Sequence, residues 1–402
     1  MSESPFHFGQ EPQNPAPRPN PPAVPPQQNP FQGSNFPSFG TPAPTPAPAP
    51  IMPPAPAPRA WNEVPVAEAI VQPAQPVHSQ APASRTSHTK ALFDKITNEV
   101  RKIYVGQDEL VLGTLVALFS GGHVLIESVP GLGKTLFVRT LGRVLGCQFG
   151  RIQFTADLMP SDITGAPVFD MKTQEFRFRP GPVFTQLLLG DEINRSPAKT
   201  HAALLEIMQE YCVTVERTTH KIERPFLVLA TQNPIESEGT YNLPEAQLDR
   251  FMFKMKVEYP SVEEENAILL MHSQHQDVDR RLTTDVHCVT SPAEILAATQ
   301  TCDKVQVAPK LVHYINTIVR QTRTSPHFHL GASPRAGIAL MQGARTLAAF
   351  YGRDYAVPDD VVSLVLPALR HRVILTPEAE VEGRAVDELL NELVRSVEVP
   401  RL

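Results

Sequence analysis

A loop with two glycines, a lysine and a threonine is the part of this sequence best suited to chemistry. It reads SVPGLGKT, from Ser128 to Thr135, and lies between an apolar run typical of a buried strand and a segment with helical spacing. Glycines let backbone N–H groups close around phosphate oxygens, and the start of the following helix adds its dipole. Lys134 would reach the β- and γ-phosphates, and the Thr135 hydroxyl would bind Mg²⁺. The alternative is a glycine-rich turn with no ligand.

Three polar side chains end two further apolar runs. Asp191 and Glu192 close the run LLLGDE, 57 residues after Lys134, and Asn233 closes FLVLATQN. The carboxyl ends of parallel strands meet at one edge of a sheet, where the glycine loop would also lie. There Asp191 would hold the Mg²⁺ shell, Glu192 would orient an attacking water, and Asn233 would hold the same water. Taken singly, each of these segments is an ordinary polar turn.

Two arginines complete the candidate residues. Arg250 ends the segment PEAQLDR, just before an apolar run, and Arg335 opens a helix in GASPR. An arginine supplied by a neighbouring subunit can raise a phosphoryl-transfer rate by ~10³–10⁵. Arg335 stands in a first helical turn, where the helix dipole disfavours a cation, so a nucleotide would give it a reason to be there. The alternatives are a surface ion pair of Arg250 with Asp249 and a solvated Arg335.

The hydrophobic pattern predicts the sheet that would position these residues. Strands are expected at 123–127, 151–154, 187–190, 226–231 and 251–257. Helices are expected near 92–103, 110–118, 136–145 and 197–210, with Gly146 ending the third and Ser196 capping the fourth. This alternation of strands and helices indicates an α/β fold with a parallel sheet.

After about residue 258 the pattern predicts helices alone. Ser261 and Glu264 form a possible capping box, and Ser291 and Ser333, each followed by proline, are further start signals. The expected helices lie near 292–302, 309–321, 334–350, 359–371 and 384–396. They make a small all-α second domain.

Proline divides the chain. Of its 42 prolines, 24 fall in residues 1–85, about 28% of that stretch, and 18 serve the remaining 317 residues. Such a composition does not bury enough apolar surface to offset the entropy of ordering. We therefore expect a disordered, semi-rigid tail at 1–85, a sheet domain at 86–258 and a helical domain at 259–402. The aromatic residues in the tail are either docking motifs or incidental.

Charge and composition exclude several classes of protein. The net charge of −6 argues against a nucleic-acid binder that relies on a basic surface. The four cysteines lack a CxxC pair, which fits a reducing compartment and gives no zinc site of usual spacing. No apolar run approaches ~18 residues, and no basic stretch precedes an apolar one, so we expect no membrane span, no signal peptide and a cytoplasmic location.

Taken together, these segments resemble the MoxR family of AAA+ ATPases. The resemblance covers about residues 90–400 and rests on VPGLGKT, DEINRSPAKTHAALLEIMQE, ATQNPIESEGTYNLPEAQLDRF and ASPRA, which follow the order of the family. It implies an AAA+ parallel-sheet domain followed by a helical lid. It also implies two inserted β-hairpins, at Gly165 to Arg179 and at Tyr211 to Arg224, that face a pore or a partner or else only pack. The tail lies outside the family core.

The same resemblance implies how ATP and Mg²⁺ would be bound. Val105 and Gly106 resemble the segment whose backbone lies beside the adenine. Thr135 and Asp191 would hold Mg²⁺, which is expected to come and go with ATP because no second carboxylate completes a permanent site. The Walker A loop that cradles the phosphates would comprise Pro130, Gly131, Leu132, Gly133, Lys134 and Thr135. Ser128 replaces the usual first glycine of this loop, so nucleotide affinity or loop geometry is expected to differ.

The catalytic roles also follow from the resemblance. Asp191 and Glu192 would form the Walker B motif, with Glu192 as the catalytic carboxylate. Asn233 would be sensor 1, Arg250 the arginine finger that acts on a neighbouring subunit, and Arg335 sensor 2, acting in cis or in trans.

The function expected from the resemblance is a Mg²⁺-dependent ATPase. It would work as a homo-oligomer, with a hexameric ring expected, and would remodel or activate protein complexes. Its partner would be a von Willebrand factor A domain protein or another client, with no nucleic acid involved. Two alternatives stay open: the ATPase subunit of a magnesium-chelatase-like machine, and a weakly hydrolysing, nucleotide-dependent scaffold that recruits partners through the tail. A DNA helicase is a weaker one, because no DNA-binding module is present.

Overall fold

A computed structural model describes residues 86–234, 241, 243–273 and 278–401. These residues belong to one compact unit. The proline-rich segment 1–85, expected to be a disordered tail, lies outside the described residues, and the boundaries expected at 85 and 258 stay predictions.

Five parallel strands form the central sheet. Their order is β2–β5–β8–β1–β9, as expected for an α/β fold with crossover connections. The strands of the described chain are β1 (Val124–Ser128), β2 (Phe149–Gln153), β3 (Gly165–Asp170), β4 (Glu175–Pro180), β5 (Leu187–Asp191), β6 (Cys212–Val215), β7 (Thr218–Lys221), β8 (Leu227–Gln232), β9 (Phe253–Val257), β10 (Phe328–Leu330) and β11 (Ile374–Leu375).

Strand register brings the polar strand ends to one edge. Gln153 pairs with Asp191 across β2 and β5, and Gln232 pairs with Glu127 across β8 and β1. The carboxyl ends of four strands therefore face the same side as the loop that follows Ser128. The expectation that these side chains meet at one sheet edge is confirmed.

Helices cover the sheet and continue the chain after β9. Their bounds are α1 (Ser87–Arg101), α2 (Asp108–Phe119), α3 (Lys134–Leu145), α4 (Pro160–Thr164), α5 (Ala198–Glu210), α6 (Glu245–Leu248), α7 (Val262–Ser273), α8 (Val278–Thr284), α9 (Pro292–Asp303), α10 (Pro309–Thr324), α11 (Pro334–Phe350), α12 (Pro358–Leu369), α13 (Pro377–Val381) and α14 (Val386–Ser396). A single 3₁₀ turn (Ile193–Arg195) follows β5. The sheet-then-helical-lid order agrees with the expected fold class.

One hydrophobic core joins the sheet to the helical part. It includes Leu187 and Leu229 from the sheet, Phe119 from α2, and Leu347 and Phe350 from α11. Phe350 packs edge-on against Phe119, with ring centroids 5.3 Å apart. The other face of the sheet has a separate core, which contains alternate strand residues such as Leu188 and Val228 together with helix α5. Burial on both faces explains why the central strands are almost continuously apolar.

Three of the four helix-start signals are confirmed. Ser261 and Glu264 form the reciprocal capping box. Ser291 accepts a hydrogen bond from the N–H of Glu294, and Ser333 caps α11. The cap expected at Ser196 is wrong. Pro197 holds the N-cap position instead, and the Ser196 hydroxyl turns back to the carbonyl of Ile193.

Both inserted hairpins are present. β3 pairs antiparallel with β4, and β6 with β7, at the positions expected. The helical part also contains a short antiparallel ribbon of β10 and β11 that the pattern did not predict. A two- or three-residue strand is too short to produce an alternating signal. None of the helices in the described ranges is long and apolar enough to cross a bilayer.

A buried histidine ties α5 to the sheet. The Nε2–H of His123 donates to the carbonyl of Met208, and its Nδ1 accepts from the N–H of Val228. Both contacts require the neutral ring, because a protonated ring has no acceptor. Burial lowers the pKa of His123 to about 4, although the bond to Met208 opposes the shift.

We expect this histidine to make stability depend on pH. Its pKa is about 4 in the folded chain and ~6.5 in the unfolded chain. Protons therefore bind the unfolded chain preferentially, and stability falls as the pH drops from ~6.5 towards ~4, by roughly 2–3 kcal/mol at most. Urea titrations should show a shallower pH slope between pH 6.5 and 5 for His123→Asn than for the unmodified chain. The exposed His313 on α10 provides the control, His313→Asn. Equal slopes in all three chains would contradict the assignment.

Candidate functional site

The loop between β1 and α3 has the geometry of an anion cradle. Gly131 and Gly133 have φ values of 89° and 72°, a region that other L-residues adopt with strain. No atom outside the immediate loop lies within 4 Å of the position that a Cβ of Gly131 would occupy. Gly133 is the N-cap of α3 and offers no side chain to its first N–H groups. These donors and the helix dipole fit a phosphate group.

Lys134 lies at the base of this cradle. Its Nζ donates to the Ser128 hydroxyl at 2.8 Å and to the Val129 carbonyl at 3.4 Å. Partial burial lowers the pKa of Lys134, and the charges of Asp191 and Glu192 act in the opposite direction. Ser128, which departs from the usual loop pattern, therefore supplies a hydrogen-bond acceptor for the lysine that a glycine lacks.

Asp191 ends β5 with both carboxylate oxygens engaged. The Thr231 hydroxyl donates to Oδ1 at 2.7 Å, and Arg151 on the edge strand β2 donates to Oδ2 at 2.7 Å. Lys134 is close enough for its charge to interact with this carboxylate. A metal ion that binds Asp191 must therefore compete with the Arg151 guanidinium or share the carboxylate with it.

Glu192 stands in a left-handed backbone conformation, with φ of 57°. Its N–H donates to the Thr231 hydroxyl at 2.9 Å, so this one hydroxyl serves both acidic residues. Its Oε2 accepts from Gln153 Nε2 at 2.9 Å and from Arg195 Nε at 3.2 Å. Left-handed backbone costs a non-glycine residue roughly 1–2 kcal/mol and marks positions held for a purpose.

Arg151 and Gln153 connect the two carboxylates. The Arg151 guanidinium donates to Gln153 Oε1 at 2.9 Å as well as to Asp191. The sequence analysis missed Arg151, Gln153 and Thr231. A signal for the first two was present, because two polar residues in alternation at the end of an edge strand point to the same side.

The loop before α2 is held against the glycine loop by Tyr104. The Tyr104 ring packs on Phe137 of α3 at 4.9 Å and lies next to Gly133. Val105 and Gly106 follow it directly, which places the segment expected beside the adenine near the phosphate cradle. The Glu264 carboxylate occupies the space in which a Cβ of Gly106 would lie.

Asn233 lies at the same sheet edge and is 7% exposed. It is one residue beyond Gln232, whose amide donates to Glu127 at 2.7 Å. Lys254 also pairs with Glu127, at 2.6 Å. The end of β8 is thus fixed against β1 at the point where the glycine loop begins.

The two candidate arginines are not part of this cluster. Arg250 donates from Nη1 to the Leu205 carbonyl on α5 at 2.9 Å. Arg335 is exposed in the first turn of α11, and no ion pair joins it to another residue in the ranges that the structure covers. Within one chain, the structure assembles the loop, Asp191, Glu192 and Asn233, and leaves both arginines outside.

The donor set fits a Mg²⁺ ion that arrives with a nucleotide. Thr135 and Asp191 supply the hard oxygen ligands that Mg²⁺ prefers. No group of three or more acidic, histidine or cysteine side chains forms a metal site among the described residues. Phosphate oxygens and water would have to complete the shell, and the adjoining cradle fits the phosphates.

Comparisons with known proteins agree with this geometry. Residues 123–253 match the model of the ATPase family associated with various cellular activities (AAA), and residues 320–393 match the AAA lid domain. A "Chaperone MoxR1" of Mycobacterium tuberculosis is 41% identical over 82% of this chain and 88% of its own length. An "Uncharacterized protein YeaC" of Bacillus subtilis is 42% identical over 77% of this chain and 95% of its own.

Solved structures give the same result. A "putative ATPase" from Cytophaga hutchinsonii superposes with a TM-score of 0.73, at 38% identity over 79% of this chain and 97% of its own. The likeness to magnesium-chelatase subunits is more distant. The ChlI subunit of Cyanophora paradoxa is 26% identical over 52% of this chain.

We expect Thr231→Val to weaken the Walker B region. The substitution keeps the shape but removes a donor from Asp191 and an acceptor from the Glu192 N–H, which costs ~1–3 kcal/mol of stability. Mg²⁺-dependent ATP binding should weaken as well, because Asp191 loses its orientation. Chemical denaturation and calorimetric titration measure the two effects.

Thr322→Val is the matched control for this prediction. Thr322 is also buried, and its hydroxyl also bridges two groups, the Val319 carbonyl and the Ala332 N–H, within the helical part. It should lose comparable stability and keep its Mg²⁺-dependent binding of ATP. A Thr231 variant that binds MgATP as well as this control does would refute the positioning role of Thr231.

Proposed function

This chain belongs to the MoxR family of AAA+ ATPases, and from that premise we propose that it hydrolyses ATP with Mg²⁺ to remodel client protein complexes. The observation that carries the proposal is the convergence of Lys134, Asp191 and Glu192 at one sheet edge beside an open anion cradle. The name of the mycobacterial relative, a chaperone, supports the remodelling part of the proposal.

Binding would use groups that already face the cradle. The N–H groups after Gly131 and Gly133 would hold the phosphates, and Lys134 would turn from the Ser128 hydroxyl towards the β- and γ-phosphates. Thr135 and Asp191 would hold Mg²⁺, which supplies charge neutralisation of the phosphates when bound. Asp191 would then exchange its contact with Arg151 for the metal.

Catalysis would require Glu192 to leave its present partners. Its carboxylate is occupied by Gln153 and Arg195, so it does not yet face a water molecule. On release, it would orient and polarise a water, with Asn233 holding the same water from the end of β8. The short chain through Arg151 and Gln153 would let the loss of one contact at Asp191 loosen the other at Glu192.

The two arginines support an oligomeric site. Arg250 contacts its own α5 rather than the cradle, which suits a residue that serves a neighbouring subunit. We propose a ring of identical subunits, hexameric as in the family expectation, in which Arg250 neutralises charge on the neighbour's nucleotide. Arg335 would act from the lid on a nucleotide in its own subunit.

The remaining alternatives differ in support. The magnesium-chelatase reading is favoured by no contact in the site, and those relatives are more distant than the MoxR proteins. The scaffold reading has one supporting observation: Lys134 and Glu192 are both held by neighbours, which would slow turnover. The client, including a von Willebrand factor A domain partner, is part of the proposal and rests on the family alone.

The experiment that tests this function is Glu192→Gln. The variant keeps the shape of the side chain and its contacts with Thr231 and removes the charge that polarises water. It should bind ATP within about twofold of the unmodified chain and lose at least ~100-fold in turnover, in line with loss of a general base. Phosphate release and a fluorescent ATP analogue measure the two quantities.

Glu206→Gln, at an exposed position of α5, is the control and should leave turnover unchanged. If the unmodified chain shows no turnover above background while binding ATP, the scaffold reading replaces the ATPase. If Glu192→Gln hydrolyses ATP normally, the assignment of Glu192 is wrong.

A further inference from the structure

Asp249 links the residue that precedes β9 to two separate helices of the lid. Its carboxylate accepts from the Ser333 hydroxyl, with oxygen–oxygen distances of 2.8 and 3.0 Å. It also accepts from Arg372 Nε at 2.8 Å. Asp249 directly precedes Arg250, and Ser333 stands two residues before Arg335. One carboxylate therefore lies next to both arginines that the cradle lacks.

Arg372 makes this connection rigid. Its side chain is only 3% exposed. Besides the carboxylate, its guanidinium donates to the backbone carbonyls of Asp249, Phe251 and Met252, at 3.1, 2.6 and 3.1 Å. A further bond goes to the Ala368 carbonyl at the end of α12. A planar guanidinium used in this way leaves little freedom between α12 and the start of β9.

Ser333 extends the connection to α11. Its hydroxyl gives its hydrogen to Asp249, and its oxygen accepts from the Arg335 N–H at 3.1 Å. Because a hydroxyl has one hydrogen, the carboxylate fixes the direction in which the oxygen caps the helix. Arg335 is also close enough to Arg372 for the two cations to repel each other. That repulsion favours an Arg335 side chain directed away from Arg372.

We propose that Asp249 is a positioning residue that holds the neighbour-facing Arg250 in a fixed relation to Arg335 of its own lid. A lid that moves when Arg335 meets a nucleotide would then move Arg250 against the adjacent subunit. The proposal rests on the proposed function and deepens it, because it gives a physical path by which one site informs the next.

A mixed-subunit ATPase assay isolates this role. Lys134→Ala subunits bind no nucleotide but still offer Arg250, whereas Arg250→Ala subunits bind ATP but offer no arginine. Each is expected to be nearly inactive alone, and a mixture should regain turnover at sites where an Arg250→Ala subunit meets a Lys134→Ala neighbour. Asp249→Asn is then added only to the Lys134→Ala subunits, which hydrolyse nothing themselves.

We expect this addition to reduce the regained turnover by roughly tenfold, within the usual range of coupling between sites. The KM for ATP should not change, because binding takes place in the other subunit. Asp387→Asn in the same Lys134→Ala subunits is the control. Asp387 also joins the lid to β9, through Lys256 and Arg370, but lies away from both arginines in sequence. It should leave the regained turnover unchanged.

Ser333→Gly gives a second variant if Asp249→Asn fails to fold. Glycine is a tolerable N-cap, so the helix loses only a few tenths of a kcal/mol, while the Asp249–Arg372 pair stays intact. It should reduce the regained turnover in the same direction. A mixture of Lys134→Ala and Arg250→Ala that regains no activity would refute the shared site and, with it, this inference. Regained activity that is equal for the Asp249 and Asp387 variants would refute the inference alone.

Discussion

Two carboxylates placed side by side at the end of a buried strand are the constraint on which the rest of the site depends. Asp191 and Glu192 repel each other, and burial near apolar strands raises the cost of that repulsion. The neighbouring elements supply compensation: a hydroxyl from β8, a guanidinium and an amide from β2, and the ammonium of Lys134. Each donor comes from an element that the parallel sheet brings to the same edge. The sheet order is therefore a requirement of the charge arrangement.

The same compensation gives the site two states. In the structure, each charged group has a protein partner: Lys134 has Ser128, Asp191 has Arg151, and Glu192 has Gln153 and Arg195. Phosphates and Mg²⁺ would offer stronger partners to the first two and release the third. The lid shares one hydrophobic core with the sheet and contacts it through buried ion pairs, so a change at the nucleotide would not stay local.

Sequence patterns predicted the residues that every such site needs and missed those that adapt it to this chain. Strand ends, the glycine loop and most caps follow from local chemistry. Arg151 and Gln153 did not stand out because their partners lie about 40 residues away and are joined only by strand pairing. The cap at Ser196 failed because Pro197 already supplies the required backbone geometry. The function of Ser128 could not be foreseen, because it depends on where the lysine side chain folds back.

The most direct test is calorimetric titration of the full chain with ATP, with and without Mg²⁺, alongside Lys134→Ala. The account predicts one ATP bound per chain, more tightly with Mg²⁺, and no saturable heat for Lys134→Ala. Mg²⁺ alone should give no saturable binding, because the protein supplies too few ligands without the phosphates. Failure to bind ATP, or equal binding by Lys134→Ala, would contradict the claim that this sheet edge is a nucleotide site.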